Sequence, residues 1–471
     1  LGIGLGLCFG LWVAHAWSIL KYPIGNDAGI FQYHGWALTQ GEIPYRDTWE
    51  FNSPGIILLH WVWGKLAGFN DQAFLWLIVG LSSLAMWWPH WRSTKNWSAS
   101  TRFFAIAAGL WSYTLITPWD RGQREFFQGA LLLLALAVLA KAIQTVRPRK
   151  RRILTMIGGA AIGVMVTLKI TILLMLIPVI GVGLLILRRW VYPQWRPLFS
   201  FILWLSAGVS IPIGGVLLWM IGIDALDSFM STQWEYLPIH RSQIKVPIAL
   251  AMSSRLPWIV LILGVLMIAM AWFLRTRKPL LLTFLGSILI GTVGLYVFQG
   301  KGWTYHLHIA IPIMGVCAGV LLHAMQHSGR SWLCIGLGVA FLWFALQNTV
   351  YDHSTGLSRA TQIGLHWNYP AHQQVAALLQ QGEKTDRVLV NNDEQQLLYM
   401  AQRRSAARCM YGFLCSEAHE NPTLSQWGQN RALELKEKPA QWVVWNDFPY
   451  RSDLDQLPLN PQMGRWIQNQ C

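Results

Sequence analysis

Long apolar runs, separated by short polar stretches, occupy most of the first 350 residues. Eleven of these runs approach the roughly 20 residues that an α-helix needs to cross a bilayer. We therefore predict about eleven transmembrane helices, in residues 1–20, 72–90, 101–117, 125–143, 153–168, 170–187, 198–222, 256–274, 279–298, 308–325 and 332–350.

The apolar run at residues 54–69 is shorter, begins with Pro54 and contains Lys65. These features favour a helix that lies in the membrane interface over one that crosses the bilayer. The chain begins at Leu1, inside an apolar run with no Met or basic segment before it. We therefore expect a truncated chain that keeps its first helix, rather than a cleaved signal peptide.

The pattern changes after residue 350, where charged residues of both signs mix and the apolar runs shorten. The segments "YPAHQQVAALLQQG" and "EQQLLYMAQRR" have helical spacing, whereas "DRVLV" and "QWVVWND" are typical of buried strands. We predict a polytopic α-helical membrane domain at residues 1–350 and a small α/β domain at 351–471. The first external loop, residues 21–71, is predicted to carry interfacial helices.

Composition and charge give the orientation of this protein. Hydrophobic residues make up 54% of the chain and charged residues only 13%, which indicates a membrane protein. The loops predicted on one side carry basic runs such as "RPRKRR" (Arg147–Arg152) and no acid, while all ten acids of residues 1–350 fall on the other side. Lys and Arg collect in cytoplasmic loops. We expect a multi-pass protein of the cytoplasmic (inner) membrane, with Asp27 and the C-terminal domain outside the cytoplasm.

The net charge of +15 is explained by this topology and by contact with anionic lipids, so nucleic-acid binding is not expected. Four polar places interrupt the outer ends of the apolar runs: Asp27, "TPWDRGQREFF", Lys169 and "FQGKGWTYHLH". Ionisable groups at membrane depth are costly and usually face a cavity or a partner. Two of these four places also have simpler interpretations. Lys169 could snorkel to the membrane interface, and in "TPWDRGQREFF" Asp120 or Glu125 could pair with a neighbouring arginine.

A carboxylate surrounded by cations at a membrane surface suits the transfer of a group from a lipid-linked phosphate. The carboxylate would accept the proton of a hydroxyl, and the cations would stabilise the charge of the phosphate. The candidate cations are Arg121, Arg124, Lys169 and Lys301. Because phosphate is already a good leaving group, no general acid is required.

The order "NDAGIFQYHGWALTQGEIPYRD", then "NSPGIILLHWVWGKLAGF", then a span resembles the GT-C superfamily of membrane glycosyltransferases. The resemblance extends over essentially the whole chain and is greatest to the branch with aminoarabinose transferases and protein O-mannosyltransferases. It implies a hexosyl or pentosyl transferase that takes a sugar from a polyprenyl-phosphate donor. The acceptor would be a hydroxyl of a glycan, lipid or protein, on the periplasmic side of the cell envelope.

The resemblance also implies roles for individual residues. Asp27 matches the first-loop acid and Glu125 matches the second acid, with Asp120 as its competitor. Lys169 matches a basic residue at the start of a later helix. The motif "KGWTYH" makes Lys301, Tyr305 and His306 candidates for contact with the donor phosphate. The family's acidic pair is reduced to one carboxylate here, so a divalent metal, with Asp27 and Glu125 as candidate ligands, stays an open question.

Two other protein classes use similar chemistry. A transporter or flippase for lipid-linked sugars is expected to show repeats and broken helices, and we find no such symmetry in the sequence. An O-antigen-type polymerase or ligase usually has its large loop late in the chain, whereas the elaborate loop here comes early. We favour the transferase and keep these two classes as alternatives.

Two cysteines, Cys409 and Cys415, lie close together in the external domain as "CMYGFLC". An oxidising compartment would allow a disulfide between them. A zinc site is the less favoured interpretation, because no second Cys or His pair stands at ligand spacing nearby.

Overall fold

The computed structural model describes most of the chain. The described residues are 2–21, 24–92, 97–116, 120–243, 246–273, 279–325, 335–336, 339–347, 369–390, 395–410 and 421–444. The helices are, in chain order, α1 (Gly2–Lys21), α2 (Asn26–Thr39), α3 (Pro54–Ala67), α4 (Asp71–Arg92), α5 (Ala99–Thr114), α6 (Arg124–Ile143), α7 (Pro148–Leu168), α8 (Leu173–Trp190), α9 (Trp195–Gly222), α10 (Leu226–Gln243), α11 (Ile248–Ala251), α12 (Arg255–Phe273), α13 (Pro279–Gln299), α14 (Ile311–Met325), α15 (Tyr369–Gln380), α16 (Gln395–Ala401) and α17 (Pro422–Glu437). Two short 3-10 turns, Ile170–Ile172 and Thr304–Leu307, precede α8 and α14.

The predicted apolar runs coincide with helices throughout the described part of the chain. Among the described residues, seven helices are long and apolar enough to cross a membrane: α1, α6, α7, α8, α9, α12 and α13. Helices α4 and α14 contain shorter apolar stretches, and residues 339–347 of the eleventh run are also helical. The prediction of a polytopic helical membrane protein is therefore confirmed.

Helices α7 and α9 approach each other closely through glycines. A Cβ atom at Gly159 or Gly163 of α7 would collide with the carbonyl oxygens of Leu205 and Val209 on α9. Small residues allow such backbone contact between membrane helices, where dispersion replaces the hydrophobic effect. This packing fixes α7, whose C-terminal end is followed by Lys169.

The first external loop contains two helices, α2 and α3. Helix α3 starts at Pro54 and has 14 residues, so it is about 21 Å long and too short to cross a hydrocarbon core of ~30 Å. This length agrees with the expectation that residues 54–69 do not span the membrane. Six residues of α3 are buried in the protein.

The C-terminal part contains a three-stranded parallel sheet formed by β1 (Arg387–Val390), β2 (Arg404–Ser405) and β3 (Trp442–Val444), in the order β2-β1-β3. The predicted α15, β1, α16 and β3 are all present. Strand β2 and helix α17 were not predicted. The predicted domain boundary at residue 350 lies outside the described residues.

The C-terminal part packs directly on α2 and the loop that follows it. The backbone N–H of Ser405 donates to the Tyr33 hydroxyl (2.9 Å), and Arg387 pairs with Glu42 (3.3 Å). The N–H of Trp49 donates to the Arg408 carbonyl (2.8 Å). These contacts support the helix whose first turn carries Asp27.

Candidate active site

The polar groups of the candidate site come from four separate places in the chain. Asp27 lies in the first turn of α2, and Arg124 and Glu125 lie in the first turn of α6. The positive end of each helix dipole favours a carboxylate at such a position. Lys169 follows α7 in extended backbone, with φ −163° and ψ 110°. The remaining groups lie between α13 and α14.

Glu125 lies at the centre of this cluster and is fully buried. Its Oε1 pairs with the Lys169 ammonium group and lies 2.7 Å from Nδ1 of His306. Lys169 also donates to Gln299 Oε1 (3.0 Å). A buried charge requires a partner of opposite sign and additional hydrogen bonds, and both are present here. Lys169 is therefore an internal ion-pair partner, not a lysine that snorkels to the interface.

A glutamine from α6 forms hydrogen bonds with the C-terminal end of α7. Gln128 Nε2 donates to the carbonyl oxygens of Met165 (2.8 Å) and Lys169 (3.3 Å). Each carbonyl also accepts a backbone N–H, Met165 from Lys169 (3.3 Å) and Lys169 from Ile172 (3.2 Å), so Gln128 adds a second hydrogen bond to each. Gln128 thereby holds the backbone of Lys169 beside Glu125.

His306 has a defined tautomer in this arrangement. Burial lowers the pKa of His306 to about 3, so its ring is neutral at neutral pH. Nδ1 of His306 lies 2.7 Å from Glu125 Oε1 and 3.2 Å from the Lys169 ammonium. The shorter contact is to a carboxylate, which can only accept, and we therefore assign the proton to Nδ1. Its Nε2 is then a lone-pair acceptor, and it has no hydrogen-bond partner in the described structure.

Asp27 is half-buried and receives a hydrogen bond from Gln123 Nε2 at 2.8 Å. Burial raises the pKa of Asp27 above its usual value of 3.8, although the charge of Arg124 and the bond from Gln123 oppose this shift. The nearby carboxylates of Glu125 and Glu50 also raise it. A higher pKa makes Asp27 a stronger proton acceptor than a solvated aspartate.

Arg124 is buried, and its guanidinium lies 5.6 Å from the ring centroid of Phe31. One of its terminal nitrogens donates to Asn52 Oδ1. Its Nε has no hydrogen-bond partner among the described residues. The guanidinium therefore has one N–H donor in use and another, on Nε, available. The planar arrangement of guanidinium donors matches the oxygens of a phosphate group.

The loop between α13 and α14 supplies a second lysine and two aromatic rings. Gly300 (φ 64°) and Gly302 (φ 70°) flank Lys301 in a conformation that favours glycine. The Lys301 ammonium lies 4.7 Å from the ring centroid of Trp303, which stacks on Tyr305 at 5.7 Å. Trp303 therefore contacts both Lys301 and Tyr305.

The charges of the cluster shift the pKa values of both Lys301 and Tyr305. Burial, together with the positive charges of Lys169 and Arg124, lowers the pKa of Lys301 to about 7. Burial also raises the pKa of Tyr305 well above 10, and the carboxylates of Asp27 and Glu125 add to that shift. The three cations, two acids and one phenol therefore share one electrostatic environment.

Two solved structures share the architecture of this chain. One is ArnT from Cupriavidus metallidurans bound to undecaprenyl phosphate, with TM-score 0.60 and 15% identity over 92% of this chain and 88% of that chain. The other is ArnT from the same organism in the apo state, with TM-score 0.58 and 16% identity over 86% and 84%. The chain therefore has the membrane fold that its resemblance to the GT-C superfamily predicted. No protein-family model matches the sequence, and no curated protein matches it.

This fold brings together seven of the eight residues that the sequence singled out. They are Asp27, Arg124, Glu125, Lys169, Lys301, Tyr305 and His306, which are linked by the contacts and charges described above. Their roles in substrate binding and catalysis stay predictions, because the shared fold does not test them.

Arg121, the eighth residue, lies elsewhere in the structure. It is buried and lines a small cavity with His15, Ser82 and Tyr113. We therefore leave it out of the proposed phosphate site. Asp120 is also buried, and it is close enough to raise the pKa of Tyr305, after burial and the larger influence of Asp27 and Glu125.

The sequence did not single out several side chains that hold the site. Gln123 bonds to Asp27, Gln299 bonds to Lys169, and Asn52 bonds to Arg124. Each lies inside a motif that we had quoted, so its place in that motif was the available signal. Uncharged amides gave no reason to select them over other loop residues.

The described residues bear on two further expectations, a divalent metal and a disulfide. No group of three or more His, Cys, Asp or Glu side chains that could hold a metal occurs within the described ranges. Glu125 has Lys169 and His306 as partners, and Asp27 has Gln123. Cys409 is disulfide-bonded, and its expected partner Cys415 lies outside the described residues.

Proposed function

We propose that this protein transfers a sugar from a polyprenyl-phosphate donor to a hydroxyl acceptor at the outer face of the cytoplasmic membrane. The observation that carries the proposal is the convergence of Asp27 with Arg124, Lys169 and Lys301 at the ends of membrane helices. One structure of the same fold is described as bound to undecaprenyl phosphate, a donor-type lipid. A lipid-linked phosphate fits the cations of this cluster.

The reaction requires one bond to form and one to break. The acceptor oxygen attacks the anomeric carbon of the sugar, and the bond from that carbon to the phosphate oxygen breaks. The phosphate leaves with the electron pair, and the three cations stabilise its charge. Asp27 accepts the proton of the acceptor hydroxyl. No general acid is needed, because the phosphate leaves as an anion.

Glu125 has a positioning role in this proposal. Its carboxylate is occupied by Lys169 and His306, so it holds the two groups at the edge of the phosphate site. Among the described residues, the carboxylate of Asp27 accepts from one amide, and Asp27 is half-buried rather than fully buried. Asp27 is therefore the better proton acceptor of the two acids.

The proposed function can be tested with a labelled donor. Membranes that contain the protein should transfer radiolabelled sugar from polyprenyl phosphate to an acceptor fraction and release polyprenyl phosphate. The purified protein should also bind undecaprenyl phosphate, measured by native mass spectrometry.

Movement of labelled donor across the bilayer with no transfer would instead support the flippase. Label appearing in a lengthened lipid-linked glycan would support the polymerase.

The affinity for undecaprenyl phosphate should depend on pH through Lys301. Lys301 has a pKa near 7, so its cation is present below that pH and is lost as pH rises through it. Undecaprenyl phosphate binding should therefore weaken between pH 6 and pH 8.5. Lys301→Arg keeps a positive charge over this range and should weaken less. Equal pH dependence in both proteins would remove Lys301 from the phosphate site.

We further propose that α2 and the C-terminal domain face the periplasm. The charge distribution supports this orientation, and the contacts of the C-terminal part with α2 support a common side for both. A cysteine at exposed Gln40 or Leu378 should react with an impermeant maleimide in intact spheroplasts. A cysteine at exposed Arg149 should react only after lysis. The reverse labelling would contradict the orientation.

A further inference from the structure

A chain of buried polar side chains leads from α2 through the first external loop to Arg124. His34 Nδ1 is hydrogen-bonded to Thr48 Oγ1 at 3.1 Å, and His34 Nε2 lies 3.0 Å from Glu50 Oε2. Asn52 then connects Glu50 to Arg124 through its side-chain amide. All five side chains are at least nine-tenths buried, so water does not compete for these contacts.

Glu50 is held as an ionised acceptor. Its Oε1 accepts from the backbone N–H groups of Phe51 and Asn52, both at 2.7 Å, and from Asn52 Nδ2 at 2.6 Å. Burial alone would raise the pKa of Glu50, but the contact with His34 and these backbone bonds lower it below its usual value. An ionised carboxylate has no proton to donate.

This carboxylate determines which way the Asn52 amide points. The two ends of an asparagine amide look alike in shape, and the hydrogen-bond network decides between them. Only the Nδ2 end can donate to Glu50, so the Oδ1 end faces Arg124. Arg124 has donors only, and the Oδ1 atom is the acceptor that one terminal nitrogen requires. The Arg124 guanidinium is thereby fixed in one plane.

We propose that Glu50 and Asn52 are positioning residues that orient the Arg124 guanidinium toward the donor phosphate. This inference rests on the proposed function. Asn52 occupies one terminal nitrogen of Arg124, and the Nε of Arg124 has no hydrogen-bond partner in the described part of the chain. The donors left available then form a phosphate-binding fork whose direction is set before the lipid arrives. Pre-organisation of this kind increases affinity because less freedom is lost on binding.

The test measures undecaprenyl phosphate affinity in a double-mutant cycle. Asn52→Ala should weaken binding by about 10- to 100-fold, the range expected from the loss of a hydrogen bond to a charged group. Arg124→Met should weaken it by at least as much. Adding Asn52→Ala to Arg124→Met should change the affinity by less than about twofold, since Asn52 acts through Arg124. A purely structural loss in Asn52→Ala would persist in the double variant.

Two further variants control for loop disruption and for folding. Gln233→Ala removes a 2.8 Å hydrogen bond to the Phe51 carbonyl in the same loop and should bind undecaprenyl phosphate normally. Glu50→Gln allows the Asn52 amide to turn its donor end toward Arg124, and it should also weaken binding. Thermal unfolding of each protein should show that the binding losses occur in folded protein.

The outcomes separate this inference from the proposed function. Normal binding by Arg124→Met would overturn the phosphate site itself. Weak binding by Arg124→Met together with normal binding by Asn52→Ala would overturn only the positioning role. Additive losses in the double variant would also overturn it, because Asn52 would then act independently of Arg124.

Discussion

Asp27→Asn is expected to lower the rate of sugar transfer by about 10²- to 10⁴-fold, the usual contribution of a general base. The variant should fold and should bind undecaprenyl phosphate close to normally. The reason is that Gln123 donates to Asp27, and the carbonyl oxygen of an asparagine can accept the same hydrogen bond. The amide cannot take a proton from the acceptor hydroxyl. The measurement is a single-turnover transfer rate with saturating donor.

Asp47→Asn is the matched control, because Asp47 lies in the same loop outside the cluster. Its carboxylate pairs with Arg46 at 3.0 Å and accepts from the Ile43 N–H at 2.9 Å, at the surface. Exposed ion pairs contribute little, so this variant should keep its transfer rate. If Asp27→Asn transfers sugar at the wild-type rate, Asp27 is not the proton acceptor and serves only to stabilise the start of α2. The proton acceptor would then be Glu125 or Asp120.

The helices of the membrane part could be predicted because length and hydropathy determine them almost alone. A bilayer leaves backbone groups no water to bond with, so each long apolar run must be helical. The C-terminal part lacks this constraint. Strand β2 has only two residues, and α17 has a polar sequence, so neither gave an apolar signal.

The charged members of the site could be predicted for a similar reason. Lys169 and Glu125 stand beside apolar runs, where a charge is costly and therefore informative. Their pairing could not be predicted, because it depends on α6, α7 and the α13–α14 loop meeting in space. The amides of Asn52, Gln123 and Gln299 gave no such signal, since a solvated loop amide costs nothing. Only the fold shows that these amides are bonded to the charges.

The second large effect is expected from the buried pair of Glu125 and Lys169. Glu125→Ala should lower the free energy of unfolding by about 3–5 kcal/mol, because it leaves a buried ammonium without its counter-ion. His306 also loses the carboxylate to which its Nδ1 donates. Lys169→Ala should destabilise the protein in the same way, because Glu125 then loses its paired cation and keeps the His306 contact and the more distant charge of Arg124. Thermal unfolding in detergent micelles measures both effects.

The double variant Glu125→Gln/Lys169→Met separates stability from binding. It removes both charges at similar side-chain volume, and replacing a buried ion pair with uncharged groups is often neutral or stabilising. Most of the lost stability should therefore return. Undecaprenyl phosphate affinity should stay low, because the Lys169 cation is absent from the phosphate site. Lys169→Arg should also bind poorly, since a planar fork does not replace a point charge held between Glu125 and Gln299. If the stable double variant binds the lipid as tightly as wild type, Lys169 serves the fold alone, and the phosphate contact rests on Arg124 and Lys301.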